Sequence, residues 1–585
     1  MQTSFTQLIP LLPEGAIWII PLSLILLLAG WVSSIAIAVK SKSLALFALF
    51  PLTNPIAIMG MIYKNTSKSM IPIGLYALAL MVWFTGSKRS YKLEFERLIA
   101  YETGLIEQGE PIKASDIPGP KVNPDENAWE HPFLKPLTMA GRPGKTDDVA
   151  REKLDEFYEP LQLPKHRVRL KYEETSPERL PMLLPARKLV ELSVGIKLEA
   201  NQATPKEDLP RSPIEAARAL EPFFKTIQPD ISLLAEAVYR KGDAYPFAWE
   251  QGFNLQLPHL NRMRAFSQIA HMDSIMHSTL GHSNESFESA RLAFQLSETG
   301  DSDILISRLV QMAQQTIALD TLVAAQNHHV WKEAQWIEIR NKLDSINMIQ
   351  LMPDSLRVER VMGRASIRPL LEQTWSDAMH TIGNLGSGDR LPMKGMIKSA
   401  LDFFGSNFSG AFLAKQWRLC QEAYSLMIDD LEKAAEASKS QAWKDVQITW
   451  DDADLRQYGL FAALLLPALE KALNKAILQQ AKLELAKASI DIERYFLKNK
   501  VYPENLDALV PDYSDTIPLD PMSGISFTYK QLSKDSFEIY SVGWNGRDDD
   551  GKQAKKHRKD DTAPTDDFLW VIGDATKGIP PYTIQ

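Results

Sequence analysis

The sequence predicts a mainly α-helical protein with N-terminal transmembrane helices, an irregular array of α-helical hairpins and a C-terminal α+β domain. Uncharged apolar runs dominate the N-terminal part of the chain. Apolar residues then recur at three- and four-residue steps, which is the period of a helix with one buried face. Near the C-terminus, a long helical stretch is followed by two strand-like runs. The predicted divisions are residues 1–91, 92–185, 186–455 and 456–585.

Composition narrows the class of protein before any motif is considered. A chain of 585 residues exceeds one typical core, so we expect about two to four domains. The formal net charge of −8 is modest and no division is strongly basic, which argues against nucleic acid as a partner. The one cysteine, Cys420, excludes an intrachain disulfide and a cysteine-rich zinc site. No small-molecule substrate is identified.

The N-terminal division contains three apolar runs. Residues 16–39 form 24 positions without a charge, which is long enough for a helix to cross a bilayer core. Residues 44–63 and 70–86 follow, and the prolines in the second run are tolerated where neighbouring helices satisfy the freed carbonyls. We predict three transmembrane helices, hence a multi-pass membrane protein with the lipid bilayer as a partner. One span plus a hydrophobic hairpin is the alternative.

The membrane side of the remaining chain depends on the number of spans. With three spans, the loop after the first run and the large C-terminal portion lie on one side. Positive charge is concentrated on that side at Lys40, Lys42, Lys88, Arg89, Lys92 and Arg97, against Lys64 and Lys68 on the other. This bias favours a cytoplasmic C-terminal portion, and failure of one run to span reverses the assignment.

Residues 92–185 are dense in proline and acidic residues, and we interpret them as a polar connector. Each proline fixes φ and removes a donor, so extended and turn structure lying over a domain surface is expected. Residues 141–146, GRPGKT, invite comparison with a phosphate-binding loop. That pattern requires glycine where Met139 stands, so a solvated turn is the better interpretation.

Residues 186–455 have a dominantly helical period, with short polar turns between helices. Residues 386–410 break it with glycines at both ends, and predict a connector around one short amphipathic helix. Ile306, Leu309, Ala313 and Ile317 illustrate one apolar face. Successive helices joined by short turns form antiparallel hairpins. Asp320 falls within such an apolar run and needs a partner if it is buried.

Three histidines, His271, His277 and His282, belong to one predicted hairpin in this array. Gly281 is expected to end the first helix before His282. Their spacing does not match the helical zinc motif, so ordinary surface and core histidines are favoured over a metal site.

A charged cluster of the array consists of Arg357, Glu359, Arg360 and Arg364. Ion pairing that holds two helices in register is the favoured interpretation, with a phosphate site as the alternative. No spacing in the array supports a Ser-His-Asp triad or a cleft with paired carboxylates.

The C-terminal division begins with a long helix from Tyr458, interrupted by Pro467. Residues 526–530 and 537–541 predict a β-hairpin, and residues 568–572, FLWVI, are expected to return as a third strand.

These residues resemble the globular half of the major pseudopilin of type II secretion. The resemblance covers residues 495–567. This range includes an acidic loop at residues 543–552, GWNGRDDDGK. Its matching positions are Tyr502-Pro503, Leu506, residues 509–511, Pro518, Asp520-Pro521, Gly524, Tyr529, Tyr540-Ser541, Gly543 and Gly546. Here the domain is not N-terminal, no prepilin cleavage motif precedes it, and Asn545 stands where the family often has aspartate.

The resemblance implies a bound calcium ion. Calcium prefers hard oxygen ligands gathered by a glycine-containing loop. The candidate ligands are Ser541, Asp548, Asp550, Asp566 and Asp567. A solvated acidic loop neutralised by nearby lysines is the alternative.

Residues 92–570 also resemble a group of large uncharacterised bacterial membrane-anchored proteins. This resemblance implies architecture and no activity. We expect a membrane-anchored, non-enzymatic interaction or scaffold protein of the bacterial envelope, with a link to secretion. That link favours an extracytoplasmic C-terminal portion, against the charge bias. The alternatives are a calcium-binding structural module and an enzyme with a cryptic site at Asp320, Glu359 or the His271 region.

Overall fold

The structure is a computed structural model that describes most of the chain beyond residue 65. The described residues are 21–23, 25–29, 66–117, 119, 121–139, 148–163, 170–172, 185, 187–194, 196, 210, 212–300, 303–372, 395–446, 457–543, 546–551, 568–573 and 582–584. All but eight of the 24 residues of the predicted run 16–39, and all of the run 44–63, lie outside this set.

Helices dominate the described residues, which confirms the mainly α prediction. They are α1 (Thr66–Glu107), α2 (Lys135–Met139), α3 (Asp148–Phe157), α4 (Pro213–Val238), α5 (Pro258–Leu280), α6 (Ser283–Leu296), α7 (Leu305–Asn327), α8 (Glu333–Asp344), α9 (Met352–Ile367), α10 (Gly395–Lys439) and α11 (Gly459–Asn499). Short 3-10 helices include Ala128–Glu130, Trp249–Asn254 and Leu506–Leu509.

The longest helices, α1 and α10, pack against each other. The predicted third apolar run, residues 70–86, forms the first part of α1, and the helix continues through residues 91 and 92 without a break. In the part of the chain that the structure describes, no helix has both the length and the apolar character needed to cross a membrane.

The short helix predicted within residues 386–410 is instead the first part of the long helix α10, which continues from Gly395 to Lys439. The glycines of this stretch predict breaks, but those at 395, 405 and 410 lie within α10. Gly410 instead allows α1 to approach, since a Cβ at this position would lie 2.7 Å from Cε2 of Tyr91. A glycine that serves helix–helix contact has the same local sequence signal as one that ends a helix.

The proline-rich connector also differs from its prediction, because its aromatic residues enter the core instead of covering a surface. Trp129 is completely buried and its indole Nε1 donates to Asp243 Oδ1 at 2.5 Å. The Tyr158 hydroxyl is buried and donates to the carbonyl of Phe133. Beyond the end of α1, the described residues of this division form no helix longer than 10 residues, as the prolines predict. The proline signal carried no information about burial.

The array contains the expected hairpins. Helices α5 and α6 pack together, and α7 packs on both. Gly281 follows α5 with a left-handed φ of 79°, so the predicted end of that helix is confirmed.

A small antiparallel sheet follows α11 in the order β2 (Thr528–Ser533), β3 (Ser536–Ser541) and β4 (Phe568–Ile572). The predicted hairpin and third strand are therefore confirmed. A second, two-stranded sheet pairs β1 (Leu170–Tyr172) with β5 (Tyr582–Ile584), which was not predicted.

The sheet and the array share one buried apolar cluster. It includes Leu98 of α1, Leu322 of α7, Leu483 of α11, Phe537 of β3 and Trp570 of β4. Helix α11 contacts α7, α8 and α10 on the array side and β3 and β4 on the sheet side. Helix α11 therefore contacts both parts, and Glu493 is one of its buried polar residues.

Candidate functional site

The residues predicted to bind calcium do not all converge. Ser541 is buried, and its hydroxyl donates to Asp520 Oδ1 at 2.8 Å. Asp548 Oδ1 accepts bonds from the Tyr540 hydroxyl and the Asp550 N–H, both at 2.9 Å. Because neighbouring strand residues point to opposite faces, Tyr540 and Ser541 direct these two groups apart.

Ser541 therefore bonds to Asp520, whereas Asp548 and Asp550 share one loop, and the proposed set of five ligands stays a prediction. Asp566 and Asp567 lie outside the described residues. Within the described ranges, no three His, Cys, Asp or Glu side chains form a group suited to a metal ion. Calcium binding by the acidic loop stays a prediction.

Asp520 is the buried acid that the sequence reasoning missed. Its carboxylate accepts bonds from the N–H groups of Met522 at 2.9 Å and Val542 at 3.1 Å, besides the Ser541 hydroxyl. Burial raises the pKa of this carboxyl, while these hydrogen bonds oppose the rise. The Asp-Pro sequence signalled a turn, but the partners at the end of β3 are too distant in sequence to be inferred locally.

A second missed acid, Glu493 of α11, lies where the sheet-bearing part meets the array. Its side chain is fully buried. Oε2 accepts a bond from the Tyr502 hydroxyl at 2.7 Å, and Oε1 lies 2.9 Å from His329 Nδ1. The His329 ring stacks on Phe496 with centroids 4.4 Å apart. Burial and then the Glu493 charge raise the pKa of Tyr502 far above its usual value.

The end of α7 adds more polar contacts at this junction. Gln326 accepts a bond from Trp570 Nε1 at 2.9 Å and donates to the carbonyl of Ser489 at 2.8 Å. Asn327 Oδ1 accepts the N–H of Gly573 at 3.2 Å. Buried polar groups are costly unless they are bonded, so this satisfied set fixes how the sheet sits on the array.

Two candidates of the enzyme alternative, His271 and Asp320, lie close together. His271 Nε2 is 3.7 Å from Asp320 Oδ2, and Lys188 forms an ion pair with the same carboxylate oxygen. The expectation that Asp320 needs a partner is thus confirmed. Burial, assisted by the Lys188 charge, lowers the pKa of His271 to about 3 against the opposing effect of Asp320. A permanently neutral imidazole is poorly suited to proton transfer near neutral pH.

Glu359, the third candidate, does not join them. It accepts the N–H of Leu305 at 3.2 Å. Burial raises the pKa of Glu359 from 4.5 to about 7, against the lowering effect of this hydrogen bond. The folded protein therefore holds this proton more tightly than the unfolded chain, and stability decreases as pH rises from about 4.5 to 7.

Replacing Glu359 by glutamine should remove this loss of stability at rising pH. Relative to the wild type, we expect Glu359→Gln to gain stability between pH 5 and pH 8, by about 2 kcal/mol at the upper end. Urea unfolding at several pH values measures the difference. The exposed Glu504 provides the control, because Glu504→Gln should follow the wild-type profile. A constant difference between Glu359→Gln and wild type across this range would contradict the assignment.

The arginine cluster forms ion pairs, as the sequence predicted. Arg360, which is 1% exposed, pairs through Nη2 with Glu110 Oε2 at 2.5 Å. Arg357 Nε lies 3.0 Å from Glu110 Oε1, and Arg364 Nε lies 3.0 Å from Glu102 Oε1. These pairs connect α9 to α1 and to the residues that directly follow α1. Since carboxylates already occupy the guanidinium groups, the phosphate alternative loses support.

Comparison with known proteins identifies no relative of this chain. No protein-family model, curated protein sequence or solved structure matches it. The resemblance of the C-terminal part to the major pseudopilin therefore stays a prediction. We infer function from contacts within the chain itself.

Proposed function

We propose that this protein is a membrane-anchored, non-enzymatic scaffold of the bacterial cell envelope. Its helical body would hold the C-terminal sheet at a fixed position relative to an N-terminal membrane anchor. The sheet would be presented to a partner, which would be another protein. The supporting observation is the ion-pair cluster of Glu110, Arg357 and Arg360, which ties the end of α1 to the helical body.

The position of this cluster matters because α1 contains the third apolar run, residues 70–86, and continues from it to the cluster. Arg360 is almost completely buried and Glu110 is 19% exposed, so sliding α1 along the body would leave charges unpaired in a poorly solvated place. Breaking a buried pair costs about 3–5 kcal/mol. A helix held in this way transmits position, which a scaffold requires and a flexible tether does not provide.

The junction between the sheet and the array supports the same interpretation. Glu493 bridges Tyr502 and His329, and Trp570 bonds to Gln326, so the sheet is held by directional contacts besides apolar packing. The resemblance to a pseudopilin suggests a partner associated with secretion. The scaffold would then position the sheet domain for that partner.

Membrane anchoring can be tested in the full-length chain. Ile25 and Leu28 lie in the run 16–39, and an arginine near the centre of a spanning helix costs about 2.5–3.5 kcal/mol. Wild-type protein should remain with bacterial membranes after alkaline carbonate extraction, whereas the double variant Ile25→Arg, Leu28→Arg should be released. Leu532→Arg, on the exposed face of β2, is the matched control and should behave as wild type. Release of the wild-type chain would refute the anchor.

The membrane side of the sheet needs an introduced thiol, because the native Cys420 is completely buried. Lys534 is exposed in the turn between β2 and β3. A Lys534→Cys variant in intact spheroplasts should react with a membrane-impermeant maleimide if the sheet is extracytoplasmic. Reaction only after lysis places it in the cytoplasm and removes the link with secretion.

A further inference from the structure

Two imidazoles face each other at the turn between α5 and α6. His277 Nδ1 lies 3.1 Å from His282 Nδ1. The His277 side chain is 19% exposed and His282 is exposed, so solvent and small ions have access to the pair. Neither residue takes part in the contacts that join the array to α1 or to the sheet.

The backbone fixes this pair in place. The N–H of Gly281 donates to the carbonyl of Ser278 at 3.1 Å, and the N–H of His282 donates to the carbonyl of His277 at 2.9 Å. With Gly281 at a φ of 79°, these two bonds form a Schellman motif, which brings the side chains at the positions of His277 and His282 together. The imidazoles are therefore adjacent without any ligand to gather them.

A buried acid lies beside the first imidazole. His277 Nε2 lies 3.5 Å from Asp273 Oδ1, and Asp273 is 3% exposed. That oxygen is buried and has no hydrogen-bond partner among the described residues, whereas Oδ2 accepts the Ser289 hydroxyl at 2.5 Å. With its proton on Nε2, His277 would face this acid and accept the hydrogen bond from His282 at Nδ1. Metal-binding histidines commonly have this carboxylate behind the ring.

We propose that His277 and His282 bind a divalent transition-metal ion through their Nδ1 atoms, with Asp273 as the positioning residue. Imidazole nitrogen suits Zn²⁺, Ni²⁺ and Cu²⁺. Two ligands at about 2.0–2.1 Å on a tetrahedral ion are separated by about 3.3 Å, close to the present 3.1 Å. The ion would replace the hydrogen bond between the two Nδ1 atoms, and both rings would turn so that their lone pairs converge on it. No third side chain of the metal-binding type converges here in the described part of the chain, and water completes the coordination.

Binding can be measured on the full-length protein, purified in detergent without a histidine tag and stripped with a chelator. We titrate ZnCl₂, NiCl₂ and CuCl₂ by isothermal calorimetry. The pair should bind one equivalent of metal. His277→Asn or His282→Asn should abolish this binding or weaken its affinity at least tenfold. Electron paramagnetic resonance of the Cu²⁺ form should show two nitrogen ligands. His557→Asn, remote in sequence, is the control and should leave this equivalent unchanged.

The Asp273→Asn variant tests whether Asp273 positions His277, separately from metal binding by the two histidines. Removing a carboxylate behind a metal-bound histidine typically weakens binding by about 10–100-fold. We expect a loss in this range, with the two-nitrogen copper spectrum retained at saturating metal and a thermal melt showing that the chain is folded. Equal affinity in wild type, His277→Asn and His282→Asn, or no binding of any of the three ions, overturns the site. Unchanged affinity in folded Asp273→Asn overturns the positioning role.

Discussion

Replacing Glu493 by alanine is expected to lower the free energy of unfolding by about 3 kcal/mol or more. The carboxylate is fully buried and bonds two groups on different segments, Tyr502 and His329. Its removal leaves the buried Tyr502 hydroxyl without an acceptor and opens a cavity between α11 and the residues that follow it. Both effects act at the junction of sheet and array, so the loss should separate the two parts as well as weaken the fold.

Denaturant unfolding followed by tryptophan fluorescence measures this loss. Glu504→Ala removes the same kind of side chain from an exposed position nearby and should change stability by less than about 0.5 kcal/mol. Tyr502→Phe removes the hydroxyl and keeps the packed ring, so its effect should be smaller than that of Glu493→Ala. If Glu493→Ala and Glu504→Ala unfold at the same denaturant concentration, Glu493 does not hold the junction.

The elements that the sequence predicted correctly are those with local signals. Gly281 ends α5 because a left-handed residue is needed there, and glycine meets that need at little steric cost. The β2–β3 hairpin has its alternation and its polar turn within one short stretch. These features need no knowledge of the rest of the chain.

The elements that escaped prediction depend on distant partners. Strands β1 and β5 are three residues each, which is too short for a pattern of their own, and they lie far apart in the sequence. Gly410 gives the same signal whether it ends a helix or admits Tyr91.

The candidate site divides in the same way. Asp548 and Asp550 belong to one loop, as their spacing implied, while the Ser541 hydroxyl donates a hydrogen bond to Asp520. The bond between Glu493 and His329 spans 164 positions, beyond the reach of periodicity or motif spacing. The Arg357–Arg364 stretch was recognised as an ion-pairing cluster because its charges are dense in sequence. Their partners on and just after α1 could not be named, since nothing local marks Glu110 as the acceptor.

The second large effect is expected at Arg360, which pairs with Glu110. Arg360→Ala should lower the free energy of unfolding by about 3–5 kcal/mol, because it leaves Glu110 with one of its two guanidinium partners and empties a site that is 1% exposed in the wild type. Thermal and urea unfolding of the full-length chain measure the change. Lys433→Ala removes a cation from an exposed pair with Asp430 and should cost less than about 1 kcal/mol.

A double-mutant cycle identifies the origin of this cost. If the loss in Arg360→Ala comes mainly from an undercompensated Glu110 charge, adding Glu110→Ala should add less than its own separate cost, with a coupling of about 1–3 kcal/mol. Purely additive losses would mean that each side chain acts through packing alone, and the pair would then not hold α1 in register. A strong coupling would show that the two side chains stabilise the fold as a pair, as the proposed scaffold requires at the end of α1.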